Sequence, residues 1–317
     1  MKVLVTGADG FVGNWVIRRL LNDGREVSGA IRPAQGAGHE TLTPEEQAAV
    51  RWLPLELTES ESVRKCADLS YDAVIHLAAV ASSGEAAEDP GFAWNVNAAG
   101  TARLAQVLGE AKRQGRGDPV LLVISTYDVY GRGPATPRRE TDTPAPCTPY
   151  AASKLAGEIA ALEVWRRTGL RTVIARPCPH TGPGQHPRYV VPRFARMLLD
   201  AKRLHAPAVK VGDLEPVREF LDVRDVVDAY ARLLAQGTPG EVYNVARGEG
   251  TSFRDLFFGL ADLIGVSPIP ETDPKQMRSG VPPILVADPA KLRAATGWTP
   301  RYSLTETLRQ VVDAQAH

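Results

Sequence analysis

Thr6-Gly7-Ala8-Asp9-Gly10-Phe11-Val12-Gly13 is the stretch that decides the fold. Before it stands Lys2–Thr6 (KVLVT), a short β-rich apolar run, and after it Asn14–Asn22 has the spacing of an amphipathic helix. Glycines at a strand-to-helix turn allow a tight bend and let the backbone approach a pyrophosphate, whose charge the helix N-terminus then stabilises. Three glycines alone are a weak signal. Here they follow a strand, open a helix and begin a βαβ unit, the setting in which such a loop holds a dinucleotide. Gly7, Asp9, Gly10, Phe11, Val12 and Gly13 are therefore the expected contacts. A glycine-rich turn without a ligand is the competing reading, and the context disfavours it.

Further along, Glu26–Ile31, Val50–Leu55, Ala73–Leu77, Val120–Ser125 and Thr172–Ala175 read as strands. Helices are expected from about Val96 to Arg113 and from Ala151 to Thr168. Short apolar strands alternating with longer helices imply parallel pairing. The expected fold is α/β, a Rossmann-type doubly wound parallel sheet with a smaller C-terminal substrate lobe. After Arg176 the texture changes, because prolines 177, 179, 183, 187 and 192 make Pro177–Pro192 loop-like. A helix at Arg193–Lys202, a strand at Val209–Val211, a helix at Asp225–Ala235 and a strand at Glu241–Ala246 follow. Ser252 and Asp255 have capping-box spacing, Pro268–Pro283 is a Pro-rich crossover, and Leu304–Gln315 is the last helix. The expected division gives residues 1–176, with about 222–246, to dinucleotide binding. It gives 177–221 and 247–317 to the substrate.

The 317 residues carry 37 basic and 37 acidic side chains, which argues against a dedicated nucleic-acid or anionic-membrane binder. Cys66, Cys147 and Cys178 are few, odd in number and lack zinc-ligand spacing, as a reducing compartment would have it. The apolar start MKVLVTG breaks at a glycine before a signal-peptide core, and Val120–Ile124 is far too short for a membrane span. The expected location is the cytoplasm.

Which dinucleotide binds depends on the end of the second strand. An acidic residue there would bind ribose hydroxyls and repel a 2′-phosphate, but this chain has Ile31 followed by Arg32. Arg32 points to NADP with NAD as the alternative; an exposed strand-end charge is the other reading.

Chemistry enters with Tyr150-Ala-Ala-Ser-Lys154, at a helix start after a loop rich in proline (Pro134, Pro137, Pro144, Pro146, Pro149). Residues four apart share a helix face, so the ammonium can sit beside the phenol. A free phenol, with a pKa of ~10, is a poor acid–base catalyst at neutral pH. A cation about 4 Å away contributes about 4 kcal/mol at an effective dielectric of ~20, equivalent to roughly three pKa units. Lys154 is thus expected to bring Tyr150 near the working pH. Thr126 leaves the Val120–Ser125 strand at the edge that faces the cofactor crevice, where a hydroxyl can bond a substrate carbonyl. His180 and His186, six apart in a Pro/Gly loop, do not match a metal-ligand pair, and no metal is expected.

Together these residues resemble the extended short-chain dehydrogenase/reductases that modify nucleotide sugars. The resemblance also runs through His76-Leu77-Ala78-Ala79, Asn97-Ala-Ala-Gly-Thr101, Arg218-Glu219-Phe220 and Asp222-Val-Arg-Asp225. Within the family it is strongest to the GDP-4-keto-6-deoxy-D-mannose reductase and GDP-mannose 4,6-dehydratase group, through His180-Thr-Gly-Pro-Gly-Gln185, Val190-Val-Pro-Arg193-Phe-Ala195, Gly212-Asp-Leu-Glu215 and Gly240-Glu-Val-Tyr-Asn-Val245.

The resemblance implies that Thr126, Tyr150 and Lys154 form the catalytic triad, with Tyr150 and Lys154 also touching the cofactor. Glu56, Leu57, Leu77, Ala78, Ala79 and Asn97 would complete the cofactor site. Asp128, Pro179, His180, Arg193 and Arg218 would meet the substrate, with the Arg218 fork on the diphosphate. A surface ion pair with Glu215 or Glu219 is the alternative for Arg218. A homodimer through the helices near 97–113 and 151–168 is also implied, although those apolar faces could equally pack within the chain.

Four positions depart from the family pattern: Glu56 replaces the usual Asp, Pro179 an Asn, Asp128 the Glu of dehydratases, and Tyr127 a polar residue. Asp is one methylene shorter than Glu, and a misplacement of about 1 Å can cost ~100-fold. The expected activity is NADPH-dependent reduction of the C4 ketone of a nucleotide-linked 4-keto-6-deoxyhexose, the nucleotide being GDP. A dehydratase or 4-epimerase with tightly bound NAD(P) is the enzymatic alternative. A non-catalytic NADP sensor is a minor one, because such sensors often lose the Tyr or Lys.

Overall fold

A computed structural model describes residues 1–33, 41–67, 70–133, 136–274 and 283–316. Pro134 of the proline-rich loop and residues 275–282 of the Pro-rich crossover lie outside them. The first part runs β1 (Lys2–Thr6), α1 (Phe11–Asn22), β2 (Glu26–Ile31), α2 (Pro44–Ala48), β3 (Val50–Pro54), α3 (Ser60–Ala67) and β4 (Ala73–His76). Then come α4 (Ser83–Glu88), α5 (Pro90–Trp94), a π-helical turn (Asn95–Gly100), α6 (Thr101–Arg113), β5 (Val120–Ile124), a 3-10 turn (Tyr127–Tyr130), α7 (Pro149–Thr168) and β6 (Arg171–Pro177).

The second part runs β7 (His180–Thr181), α8 (Val190–Leu204), β8 (Ala208–Val211), β9 (Val217–Arg218), β10 (Leu221–Asp222), α9 (Val223–Gln236) and β11 (Val242–Val245). It ends with β12 (Thr251–Ser252), α10 (Phe253–Ile264), β13 (Ile269–Thr272), β14 (Ile284–Leu285), α11 (Ala290–Thr296) and α12 (Leu304–Ala316).

Seven strands form one sheet in the order β11-β6-β5-β4-β1-β2-β3, every neighbouring pair parallel. The strands are apolar on both faces, as a sheet covered on both sides requires. On one face Val3, Val5, Leu122 and Val173 pack with Ile17 and Leu20 of α1 and Val226 and Leu233 of α9. On the other, Leu4, Val74, Leu121 and Val123 pack with Val63 of α3, Leu104 and Leu108 of α6, and Ala161 and Val164 of α7. Strand order reverses between β1 and β4. A crevice therefore opens beyond their C-terminal ends, the place where such sheets bind ligands.

A third core joins α8, α10 and α12 through Phe194, Leu198, Phe257, Leu260, Leu308 and Val311. Phe194 and Phe257 meet edge to face at 5.5 Å. Ser252 caps α10 by accepting from the Asp255 amide (2.9 Å), as its spacing predicts. Two expectations need correction. The loop-like stretch 177–192 contains β7, which pairs with β10, and α8 already begins at Val190. The helix expected over 96–113 opens as a π-helical turn, in which Asn97 is buried and ties two neighbouring elements together.

Candidate active site

The glycine loop is built for a close approach. Gly7 has φ +67°, and a Cβ there would stand 2.9 Å from the Ala78 backbone; one at Gly13 would run into the Gly7 carbonyl. The bend is fixed by Gly7 N–H donating to Ala30 O (3.0 Å), Gly10 N–H to Gly7 O (3.1 Å) and Asn14 Nδ2 to Ala8 O (2.9 Å). Gly10 precedes α1 without any side-chain cap, and the first turn of α1 holds no acidic residue. The positive end of the helix is thus left to an external anion, which fits a dinucleotide pyrophosphate. Asp9, Phe11 and Val12 are half-buried around it.

Leu77, Ala78 and Ala79 form the half-buried exit of β4, where the Ala78 amide donates to Thr6 Oγ1 (3.2 Å). At the neighbouring strand ends Arg32 lies 6.0 Å over the Phe92 ring and is charge-coupled to Glu56. Burial opposes ionisation of Glu56, but hydrogen bonds from the Thr58 amide and hydroxyl, with Arg32, hold the carboxyl below its ordinary value. Leu57 is buried against Gly100, and its carbonyl accepts from Arg103 (3.1 Å).

Thr126, at the tip of β5, starts the 3-10 turn and accepts from the Asp128 amide at 3.2 Å. The Asp128 carboxyl and the Tyr150 side chain lie close to its hydroxyl. Tyr150 enters the same place because Thr148 caps α7, with Pro149 in its first turn. Burial, and next the Asp128 carboxylate, push the phenol well above its ordinary value, while the nearby Thr126 hydroxyl opposes the shift. The expectation that Lys154 brings the phenol down is not met in this structure.

Burial comes first among the causes of the phenol's shift and Asp128 second, while the charge that acts on the Lys154 ammonium is Glu158. Burial lowers Lys154 to about 8 while Glu158 raises it, and its charge adds to the burial that depresses His76 to about 3.

Beneath this group lies a buried ion pair, Arg176–Glu158 (2.7 Å), with the Ser125 hydroxyl donating to Glu158. Arg176 also stacks 4.9 Å over Tyr130. Glu158 is not among the residues expected from the sequence. The continued stripe 150, 154, 158 was the signal that could have found Glu158. Asn97 accepts from the Val80 amide (2.8 Å) and donates to Val80 O (3.1 Å) and Ser153 Oγ (3.0 Å). Both hydrogens of its amide and one lone pair of its oxygen are engaged inside the protein, which orders this part of the site.

On the substrate side, burial raises Asp128 from its ordinary value while Arg218 opposes the shift. Arg218 is only 7% exposed, and its guanidinium donates to Val217 O (2.6 Å) and Pro283 O (3.5 Å). The surface-pair alternative fails for both carboxylates. Glu215 pairs with Arg254, and the buried Glu219 accepts from the Arg247, Gly248 and Ala287 amides. Pro179 keeps a carbonyl that accepts from Leu221 N (2.9 Å). Burial favours neutral His180, whose Nδ1 meets Cys178 O at 3.0 Å. Arg193 is exposed in the first turn of α8, its amide bonded to the carbonyl of Tyr189 (2.9 Å), a residue charge-coupled to Tyr150. Among the described residues no cluster of His, Cys, Asp or Glu is arranged for a metal, and no helix is long and apolar enough to cross a membrane.

The sequence pattern of the NAD dependent epimerase/dehydratase family matches residues 3–246, well over half of the chain. The chain belongs to this family. It is an NAD(P)-dependent enzyme of the extended short-chain dehydrogenase/reductase type. GDP-6-deoxy-D-mannose reductase of Pseudomonas aeruginosa is 39% identical over 244 residues, 76% of this chain and 79% of that protein. UDP-glucose 4-epimerase of Mycolicibacterium smegmatis is 32% identical over 322 residues, 99% of this chain and 98% of that protein. The structure of RMD from Pseudomonas aeruginosa complexed with NADPH superposes with a TM-score of 0.82 at 34% identity, covering 99% of this chain and 98% of that chain. Family members thus include reductases and epimerases built on one sheet, and residues at the sheet edge must tell them apart.

Proposed function

We propose that the protein reduces the C4 ketone of a nucleotide-linked 4-keto-6-deoxyhexose with NADPH, the nucleotide being GDP. The observation that carries this reading is the placement of Tyr150, in the first turn of α7, next to Thr126 at the tip of β5, with Lys154 one helical turn on. The 39% identity to a reductase of that class supports it. The glycine loop would hold the pyrophosphate, with Arg32 and Glu56 at the adenosine end. The reduced dinucleotide, when bound, supplies the hydride. Tyr150 gives its proton to the carbonyl oxygen, Thr126 orients that oxygen, and Lys154 holds the ribose. Arg218 and Arg193 supply cationic forks for the diphosphate, and Asp128, Pro179 and His180 line the sugar.

In this reading residues 1–176 with about 222–246 hold the dinucleotide, and 177–221 with 247–317 hold the nucleotide sugar. The protein works in the cytoplasm as a homodimer through α6 and α7. The full-length match to an epimerase favours 4-epimerisation or 4,6-dehydration as the second reading.

Incubation with NADPH and a panel of nucleotide-linked 4-keto-6-deoxy sugars tests the proposal. Stoichiometric NADPH oxidation, greatest with the GDP sugar and much weaker with NADH, is the expected result. Conversion without net NADPH consumption gives the second reading instead.

A further inference from the structure

We infer that the protein has a second anion site, a cleft at the outer edge of the sheet that takes a sugar phosphate. It lies apart from the crevice and does not rest on the reductase reading.

The cleft is built on β11, the outermost strand, which β6 and β5 separate from β4 and β1. The Asn244 amide on β11 donates to Glu140 (2.7 Å), and the Asn244 side chain donates to the Arg138 carbonyl (2.9 Å). Arg138 N–H donates in turn to Val286 O, and Asp288 N–H to Arg138 O, both at 2.8 Å. Between this pinned loop, residues 247–249 and the start of α11 opens a cavity of about 1060 Å³. That is ample for a small ligand. No residue expected to meet the dinucleotide or the nucleotide sugar lines it.

Charge gives the cleft its character. Five arginines line it against three carboxylates, a surplus of two positive charges. Arg139 is paired with Asp288 (3.3 Å). The Arg138 side chain is only 8% exposed, yet among the described residues its guanidinium makes no hydrogen bond. Its ion pair with Asp142 spans 3.9 Å, beyond hydrogen-bond length. Gly133 makes room for this group, since a Cβ there would overlap the Arg138 guanidinium. Arg247 spends one donor on Tyr302 O and leaves Nε without a partner, while Arg293 donates to Arg247 O (2.9 Å). Among the described residues neither of these two guanidiniums bonds a carboxylate. Taking a guanidinium out of water without a charge-assisted bond is costly. An anion with several oxygens supplies the acceptors, and the planar fork suits phosphate.

The rest of the lining narrows the class. A phosphate monoester carries about −1.5 to −2 charge at neutral pH, close to the surplus of two. The carboxylates of Asp142 and Glu249 and the hydroxyls of Thr136 and Thr143 can take sugar hydroxyls. No aromatic side chain among the described residues lines the cleft to stack a base, so a sugar fits better than a nucleotide.

Calorimetric titration of the full chain with glucose 1-phosphate tests the inference. The parent is compared with Arg138→Gln, with Arg293→Glu and with a crevice control, Arg218→Ala. Saturable binding is expected in the parent and in Arg218→Ala. Loss of one charge-assisted contact should weaken it roughly tenfold or more in Arg138→Gln and in Arg293→Glu. Arg293 is exposed, so Arg293→Glu decides alone if Arg138→Gln does not fold. No saturable binding in the parent overturns the inference, as does a folded cleft variant that binds like the parent. A loss in Arg218→Ala as large as in the cleft variants overturns it too, because the phosphate then sits in the crevice. Glucose, citrate or inorganic phosphate binding as tightly as glucose 1-phosphate overturns the assignment to a sugar phosphate.

Discussion

At the scale of the residue, His76 shows how the crevice treats charge. Its ring is held between Thr6 Oγ1 (2.8 Å) and Thr101 Oγ1 (3.0 Å), fully buried. Burial, and then the Lys154 charge, lower it to about 3. An unfolded imidazole titrates near 6.5, so between those values the unfolded chain holds the extra proton. Above ~6.5 the buried neutral ring carries no protonation penalty; as pH falls toward ~3 stability is lost, in the limit on the order of 5 kcal/mol. We expect denaturant midpoints to fall more steeply with acid in the parent than in His76→Gln. Parallel slopes would show that His76 takes up no proton on unfolding. Tyr150, Lys154 and Thr126 are legible in sequence because their types and spacing carry the chemistry. The influence of Asp128 on Tyr150 is not, because it depends on a 3-10 turn that folds a carboxylate back toward another helix.

At the scale of the element, α7 does more than carry a catalytic pair. Its third turn brings Glu158 under β5 and β6, where the pair with Arg176 has side-chain exposures of 2% and 5%. Removing one member of such a pair strands the other charge and costs about 3–5 kcal/mol. Glu158→Gln should therefore lower the free energy of unfolding in urea by about that much, whereas the exposed pair of Arg167 and Glu163 should contribute below ~1 kcal/mol. Strands β1 and β2 have the limits expected from their apolar runs, since parallel strands covered on both faces read as continuous hydrophobic stretches. The π-helical opening of α6 was not legible. Apolar periodicity distinguishes helix from strand but carries no trace of one inserted residue, and only the bonds of Asn97 to Val80 and Ser153 reveal its use.

At the scale of the whole molecule, two arrangements matter. The α6 and α7 faces leave Ile159 60% exposed beside Arg103, Gln106, Ala160, Glu163 and Arg167, an apolar centre ringed by polar groups. If two copies pair there, Ile159→Asp should convert a dimer into a monomer in sedimentation velocity; a parent that is itself monomeric removes the homodimer. The second arrangement ties the C-terminal segment to the start of α9. Asp225 accepts from the Arg301 and Tyr302 amides (2.9 and 3.1 Å), and Trp298 Nε1 donates to Asp225 O (3.0 Å). The Thr307 hydroxyl donates to Asp222 (2.8 Å).

From its own order of residues the chain dictated a parallel α/β sheet and a glycine loop poised at a helix N-terminus. It also dictated a Tyr–Lys pair one turn apart, since glycine freedom, strand apolarity and helix period act over a few neighbouring residues. Folding in three dimensions decided the rest: the phenol is pushed up rather than down, Arg218 lies buried beside Asp128, and Glu219 clamps backbone amides from two distant segments. Those outcomes follow from desolvation and from charges brought close across long stretches of chain, and local spacing holds no record of either.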